Sequence, residues 1–391
     1  MAANSLTFNQ IATILNSVVQ QATGKAVLTP TNTKDFVTVA QTGLLAGYDN
    51  LMGAISQVLS RTVISNRAYG RKFRGLEADN IRWGNHVRKI NYADRDWQDS
   101  GRLPITNGVA VDDQKPILDN VLQTNFYGQN DYEIQWTLYA NQLDVAVSDP
   151  EEVGRFVSGK LQTISNQVEQ KHEDLARMVL ANLIAGIITI GNTNQVVHLL
   201  TEYNTLTGLS LTATTVYQPA NFPSFIKWAY SRIAAVSSML TERTVIYHQN
   251  VTGKEISRHT PEAYQRVYLY APTRYQVDAR VLADTYHDNY LSQAYTETVN
   301  FWQSIRTPDT INVTPVYMKA DGSLDSPQAA VNQGKVFGLI MDAEAAGYTV
   351  CNQRSTSAPF NGEGEYQNFW LKFTDRYWND FTENAVVLLL D

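Results

Sequence analysis

Residues 148–183 read SDPEEVGRFVSGKLQTISNQVEQKHEDLARMVLANL. The apolar residues Val153, Phe156, Val157, Leu161, Ile164, Val168, Leu175, Met178, Val179 and Leu183 recur mostly at steps of three, four or seven, which is one face of a helix. Asp149 is placed to cap, Pro150 fits the first helical position, and Glu152 completes a capping box with its charge in the first turn. The pattern predicts one helix over 149–185, ending near Gly186. At ~1.5 Å per residue it spans about 50 Å, well beyond the ~11–12 residues of an average globular helix. Its apolar stripe is thin for that length, so the helix needs partners on more than one side.

The chain has 391 residues, with 43% hydrophobic and 18% charged. It carries 21 tyrosines and 7 tryptophans, whereas disordered chains are charge-rich and poor in aromatics. Tyr and Trp favour half-buried surfaces such as interfaces. One cysteine, Cys351, excludes an intramolecular disulfide and is read as a packed thiol. The N-terminus lacks a basic region followed by an apolar core, and the run VVLLL is too short to span a bilayer. Neither a signal peptide nor a membrane partner is expected.

The net charge of −7 argues against general coating of nucleic acid. The charge is uneven. Residues 61–90 hold eight basic residues against Glu77 and Asp79, a net of +6 that leaves −13 on the rest. Arg67, Arg71, Lys72, Arg74, Arg82, Arg88 and Lys89 are candidate contacts to DNA or to an acidic neighbouring subunit. An ordinary solvated face is the alternative. Asp94, Asp96 and Asp99 form an acidic hairpin, solvated or paired with basic residues of a neighbouring chain.

Residues 5–22 and 34–60 read as two helices without a core of their own. HVRKINYADRD and NVLQTNFYGQNDYEIQWTLY alternate in part, as strands do, and flank the polar excursion 99–119. That pattern suggests a protruding β-loop. Residues 187–215 read as mixed strand and loop. A helix is predicted over 222–240, and a strand, a turn at Pro272 and a helix over 266–283. FWQSI, INVTPVYM and KVFGLIMD read as strands, and 368–391 as a strand, a polar turn and a final buried strand.

Catalytic signatures are missing. There is no GxxxxGK[ST] loop and no GxSxG elbow, and Gly362-Glu363-Gly364 lies in a polar turn. His172-Glu173 starts like a zinc-protease motif, but Ala176 stands where the second histidine belongs. His172 is therefore read as a solvated residue on the long helix. The six histidines lack paired spacing, so no structural metal, cofactor or catalytic residue is assigned.

The order of elements resembles that of tailed-bacteriophage major capsid proteins with the Hong Kong 97-like fold. The C-terminal third carries the likeness best, in KVFGLIMD, then AGYTVCNQRSTS, then FWLKFTDRYWNDFTENAVVLLLD. RVYLYAPTRYQVDARVLA is similar to an axial-domain element. Short-tailed phages of Gram-positive hosts are the nearest in pattern. The resemblance implies an α+β fold with an N-terminal helical arm at 1–60 and an extended β-loop with adjoining peripheral strands at 61–147. A peripheral domain at 148–215 would carry the spine helix 149–185, an axial domain would span 216–345, and 346–391 would return to the peripheral domain. It further implies a non-catalytic subunit that assembles with itself, as hexamers and pentamers, into an icosahedral shell formed in the bacterial host cytoplasm. Implied partners are a portal protein, packaged double-stranded DNA held by non-specific contact, and a separate scaffolding protein, since 1–60 is too short and apolar for a cleaved scaffolding segment. No subunit cross-link is matched. On this reading the polar flanks of the spine helix face neighbouring subunits or the two sides of the shell. A soluble oligomeric protein binding carbohydrate or another ligand on its aromatic surface is the alternative.

Overall fold

KVFGLIMD and AVVLLL leave almost no side chain to turn toward water, so strands made of them must be covered on both faces. The computed structural model describes Asn16, Val19, Gln20 and residues 71–78, 87–95, 119–141, 150–272, 296–327 and 329–391. In it Val336–Asp342 (β11) and Ala385–Leu389 (β14) pair antiparallel at the centre of a five-stranded sheet. Gln265–Tyr270 (β5) flanks β11, and Thr296–Val299 (β6) runs parallel to β5 at one edge. Val196–His198 (β4) runs parallel to β14 at the other.

This sheet is sandwiched. Leu339, Met341, Val387 and Leu389 share a core with the long helix α1, Pro150–Ile190. Phe337, Ile340, Val386 and Leu388 turn the other way, onto α2 (Leu199–Thr207) and α3 (Phe222–Leu240). A second, antiparallel sheet packs along α1. Its order is Ala346–Ser357 (β12), Tyr366–Asn379 (β13), Gly128–Tyr139 (β3). Phe369, Leu371 and Phe373 of β13 are buried, and Tyr132 stacks on Phe373 at 5.1 Å and Trp136 on Phe369 at 5.8 Å across the β3–β13 pair. Val87–Tyr92 (β1) and Val121–Phe126 (β2) pair antiparallel as a separate ribbon, and β2 leads almost directly into β3. Short pairs link Ile311–Val313 (β7) with Val331–Gln333 (β10), and Tyr317–Met318 (β8) with Leu324–Asp325 (β9).

Several expectations change. The long helix begins at Pro150 but passes Gly186 to Ile190, and its second half is no thin-striped helix. From Leu175 to Ile187 most side chains are buried, with Met178 the conspicuous exposed one. Two sheets cover it there. Residues 199–207 are helical rather than strand or loop. FWQSI is not a strand. Its chain folds back so that the Trp302 amide donates to the Pro308 carbonyl, and the buried indole N–H donates to the Val336 carbonyl at 2.9 Å. The strand, polar turn and final buried strand read over 368–391 are present, divided between two sheets. β12 and β13 join β3, whereas β14 enters the five-stranded sheet, because a strand apolar on both faces needs a central slot. The predicted helices 5–22 (but for three residues) and 34–60, residues 273–283, and most of the 99–119 excursion lie outside the described residues.

Gly186 shows how closely α1 is packed. A Cβ added there would lie 2.5 Å from the Phe381 ring. Helix propensity alone favours Val over Gly by a few tenths of a kcal/mol. The overpacking penalty is larger, so Gly186→Val is expected to lower the unfolding free energy in urea by about 1–3 kcal/mol. An unchanged or raised stability would show that Phe381 does not press on the helix.

Candidate functional site

The described structure has no cleft with catalytic geometry. Instead it shows two polar anchors that hold peripheral segments to the body.

The first anchor is the segment 71–78, bound by residues at least about a hundred positions away. Arg71 is buried. Its Nη1 donates to His172 Nδ1 at 2.8 Å, its Nε lies 3.3 Å from Glu169, and its Nη2 pairs with Glu77. Because guanidinium only donates, His172 Nδ1 is the acceptor and the imidazole proton sits on Nε2. Nε2 faces Asp375 Oδ2 across 3.7 Å. The Lys72 amide donates to Glu173, and the Phe73 amide to Glu297 Oε1 at 2.6 Å. Phe73 is buried at φ 60°, an unusual backbone for an aromatic residue, and its ring lies under the Arg177 guanidinium at 4.9 Å. Arg177 in turn pairs with Glu173 one helical turn away, at 2.6 Å. The Ala78 amide closes the segment onto the Tyr348 carbonyl of β12. Polar groups from α1, β6 and β12 thus converge on the eight residues 71–78, with Asp375 of β13 behind His172.

Burial shapes the protonation of this cluster. It depresses His172 to about 4, with the neighbouring Arg71 charge adding to the effect. It raises Asp375 to about 6, opposed by Tyr132 and Arg71. Burial likewise pushes the Tyr132 and Tyr348 phenols upward. At neutral pH His172 is neutral, Asp375 is ionised, and Arg71 carries the positive charge between them and the two glutamates.

The second anchor seats the β1–β2 ribbon. Lys89 Nζ lies 2.9 Å from Glu344 and 3.1 Å from Asp380, and pairs closely with Glu383. Asp380 and Glu383 are buried, and Arg258 reaches Glu383 at 3.1 Å. Burial alone would lower the Lys89 pKa, but the carboxylates more than offset it and the net shift is upward. Glu383 is raised by burial despite its cationic partners. At the far end of the ribbon Asp94 pairs with Arg243 and accepts from the Ser257 amide at 2.6 Å.

The candidate basic residues therefore divide. Arg67 and Arg82 lie outside the described residues. Arg71 and Lys89 do not point outward as expected. Carboxylates of their own chain hold them: half-buried Glu169 and exposed Glu77 for Arg71, and for Lys89 the buried Asp380 and Glu383, whose charges are costly without a cation. Lys72 is half-buried, and Arg74 and Arg88 are exposed. His172, read from sequence as solvated, is buried at the centre of the first anchor. Asp375, Asp380 and Glu383 were not singled out at all. No local pattern marks them, because their cations lie hundreds of residues away.

The sequence of residues 11–389 matches the family described as Phi29-like phage major capsid protein. The chain belongs to that family. Its fold is that of solved phage capsids. It is similar to a chain of the Staphylococcus phage Andhra capsid, with TM-score 0.53 and 10% identity over 83% of this chain and 86% of that one. It is similar also to a chain from the structure of the head fibre and inner core protein gp22 of native bacteriophage P68, with TM-score 0.52 and 10% identity over 82% and 85%. A search of curated protein sequences finds no match. The major capsid protein is a structural component of the virion shell, which displaces the ligand-binding alternative. Its two anchors are parts of a building block rather than of an active site.

The Arg71 cluster makes a signed pH prediction. A folded-state pKa raised to about 6 means that the folded chain keeps a proton the unfolded chain has released, so the Asp375 contribution to stability falls as pH rises from about 4 to 6. His172, depressed to about 4, acts oppositely over about pH 4–6.5, and the two nearly offset in the wild type. Asp375→Asn removes one side. Its stability relative to wild type should climb by about 1–3 kcal/mol between pH 4.5 and 7.5 and then level off. A difference that does not change with pH, in parallel urea titrations, would show that Asp375 titrates as an ordinary surface carboxylate.

Proposed function

We propose that this capsid protein builds a closed icosahedral head of hexamers and pentamers around double-stranded DNA, with a portal protein at one vertex and a separate scaffolding protein during assembly in the host cytoplasm. The observation that carries this reading is the ribbon β1–β2. Its inward residues Lys89 and Leu122 meet the body, while the alternate positions Arg88, Ile90, Tyr92 and Val121 face out. Tyr92 is 66% exposed and Ile90 49%, more apolar surface than a two-stranded ribbon gains by standing in water. A neighbouring subunit would cover that face. Contacts of this kind are individually weak, but closed symmetry repeats them, so the shell can be stable while each contact stays reversible.

Of the basic stretch, Arg74 and Arg88 remain free to meet packaged DNA or an acidic neighbour, with half-buried Lys72 beside them. Non-specific phosphate contact needs only exposed cations, which suits residues at such positions. The proposed domain division also changes weight. The helix Pro150–Ile190 and the five-stranded sheet share the compact body, from which the β1–β2 ribbon is set apart.

Two experiments test this reading. Deleting residues 99–119 should leave a soluble, folded subunit that forms no shells under negative-stain microscopy with its scaffold. Wild-type shells from that deletion would remove the ribbon from the lattice. Arg74→Glu with Arg88→Glu should lower the yield of filled heads several-fold by loss of two favourable charges. Normal particle yield with normal DNA content would sink the role given to these residues.

A further inference from the structure

We propose that Lys89 is the positioning residue of the β1–β2 ribbon, and that an ionic clamp rather than an apolar core sets the direction in which the ribbon leaves the body.

No apolar side chain of the two strands is fully buried; Val87, Leu122 and Phe126 are half-buried. Among its described residues Leu122 packs against the main core. Two strands alone are marginally stable in water, so something else must hold them. Lys89 inserts into a seat whose two buried carboxylates, Asp380 and Glu383, lie in the turn just before β14. That turn is itself fixed, because Asp380 Oδ1 accepts from the Thr382 amide at 2.9 Å and from its hydroxyl at 2.6 Å. The ammonium meets the other oxygen, Oδ2, at 3.1 Å. One carboxylate thus shapes the turn with one oxygen and holds the ribbon with the other. At the opposite end the ribbon meets the 243–258 segment through polar contacts again. Asp94 bonds to Ser257, Asn120 Nδ2 donates to the Gly253 carbonyl at 2.7 Å, and Lys254 Nζ donates to the Val121 carbonyl at 2.9 Å. Charge–dipole contacts of this kind fix direction sharply and can be broken without exposing a core.

The clamp is a property of the single subunit. Its consequence for assembly rests on the proposal that the outer ribbon face meets a neighbour. Hydrogen–deuterium exchange on the full-length soluble subunit reads the clamp, and shell yield reads the consequence, so the two can fail separately. Lys89→Met should speed exchange of the β1 and β2 amides by roughly tenfold or more, while the β11 and β14 amides keep their protection. Lys89→Arg should restore ribbon protection. The Met variant leaves two buried acids without their lysine and could fail to fold. Lys89→Met with Asp380→Asn and Glu383→Gln removes that burden and keeps the Oδ1 cap on Thr382. This triple variant should melt near the wild type and still show a fast-exchanging ribbon. Wild-type protection of β1 and β2 in the triple variant would overturn the proposal.

Discussion

A buried guanidinium holds this subunit together where its parts meet. Arg71, in the 71–78 segment, hydrogen-bonds His172 of the long helix and Glu77 of its own segment and lies 3.3 Å from the Glu169 carboxylate, while Asp375 of the second sheet lies just beyond the imidazole. Without it the helix would bury an imidazole, and half-bury the Glu169 carboxylate, with no cation beside them. Breaking such a cluster by removing one partner costs far more than the pair contributes over an apolar substitute, because the remaining charges stay buried. The same reasoning explains why the arm can be thin. It adds Phe73 and Leu76 to the core, while carboxylates of α1 and β6 and the Tyr348 carbonyl of β12 bind its backbone and the Arg71 side chain.

The body and the periphery are built on different physics. β11 and β14 are covered on both faces by α1 and by α2 with α3, and that burial is non-directional and hard to undo. The 71–78 segment adds Phe73 and Leu76 to the apolar core and is oriented by Arg71, and the ribbon is seated by Lys89; these cations meet carboxylates of the body together with Glu77 of the segment itself. A shell subunit has use for that division. The lattice needs identical bodies, but its peripheral segments must take up angles set by their neighbours. Polar anchors give those segments a defined starting direction at low cost in apolar surface.

Much of the body could be read from the sequence, because hydrophobic period is a local signal. The helix 222–240, the apolar strand near 335–342, and the paired stretches around 86–96 and 120–139 all appear where their periodicity puts them. The last strand was also readable in principle. A run apolar at every position fits only a central strand, and the sequence reads it as a final buried strand, but which sheet takes it is set by pairing with the distant β11 and β4. The anchors were not readable. His172 stands among Gln, Lys, Glu and Asp, the ordinary signature of a solvated helix face, and nothing nearby announces that Arg71 will be inserted against it. Lys89 and the 380–383 turn are separated by nearly three hundred residues. Buried charge is decided by partners distant in the chain, and a periodicity argument cannot see them.

Urea unfolding of the soluble Arg71→Met subunit, set against wild type at neutral pH, tests the keystone role of this residue most directly. Methionine keeps much of the side-chain volume and removes the charge. The account predicts a loss of about 1.5–3 kcal/mol, since buried His172 Nδ1 is left without its charged donor and Glu77 and half-buried Glu169 lose their cation. A loss below about 1 kcal/mol, the range of an exposed ion pair, would mean that the arm rests on the body without holding it together.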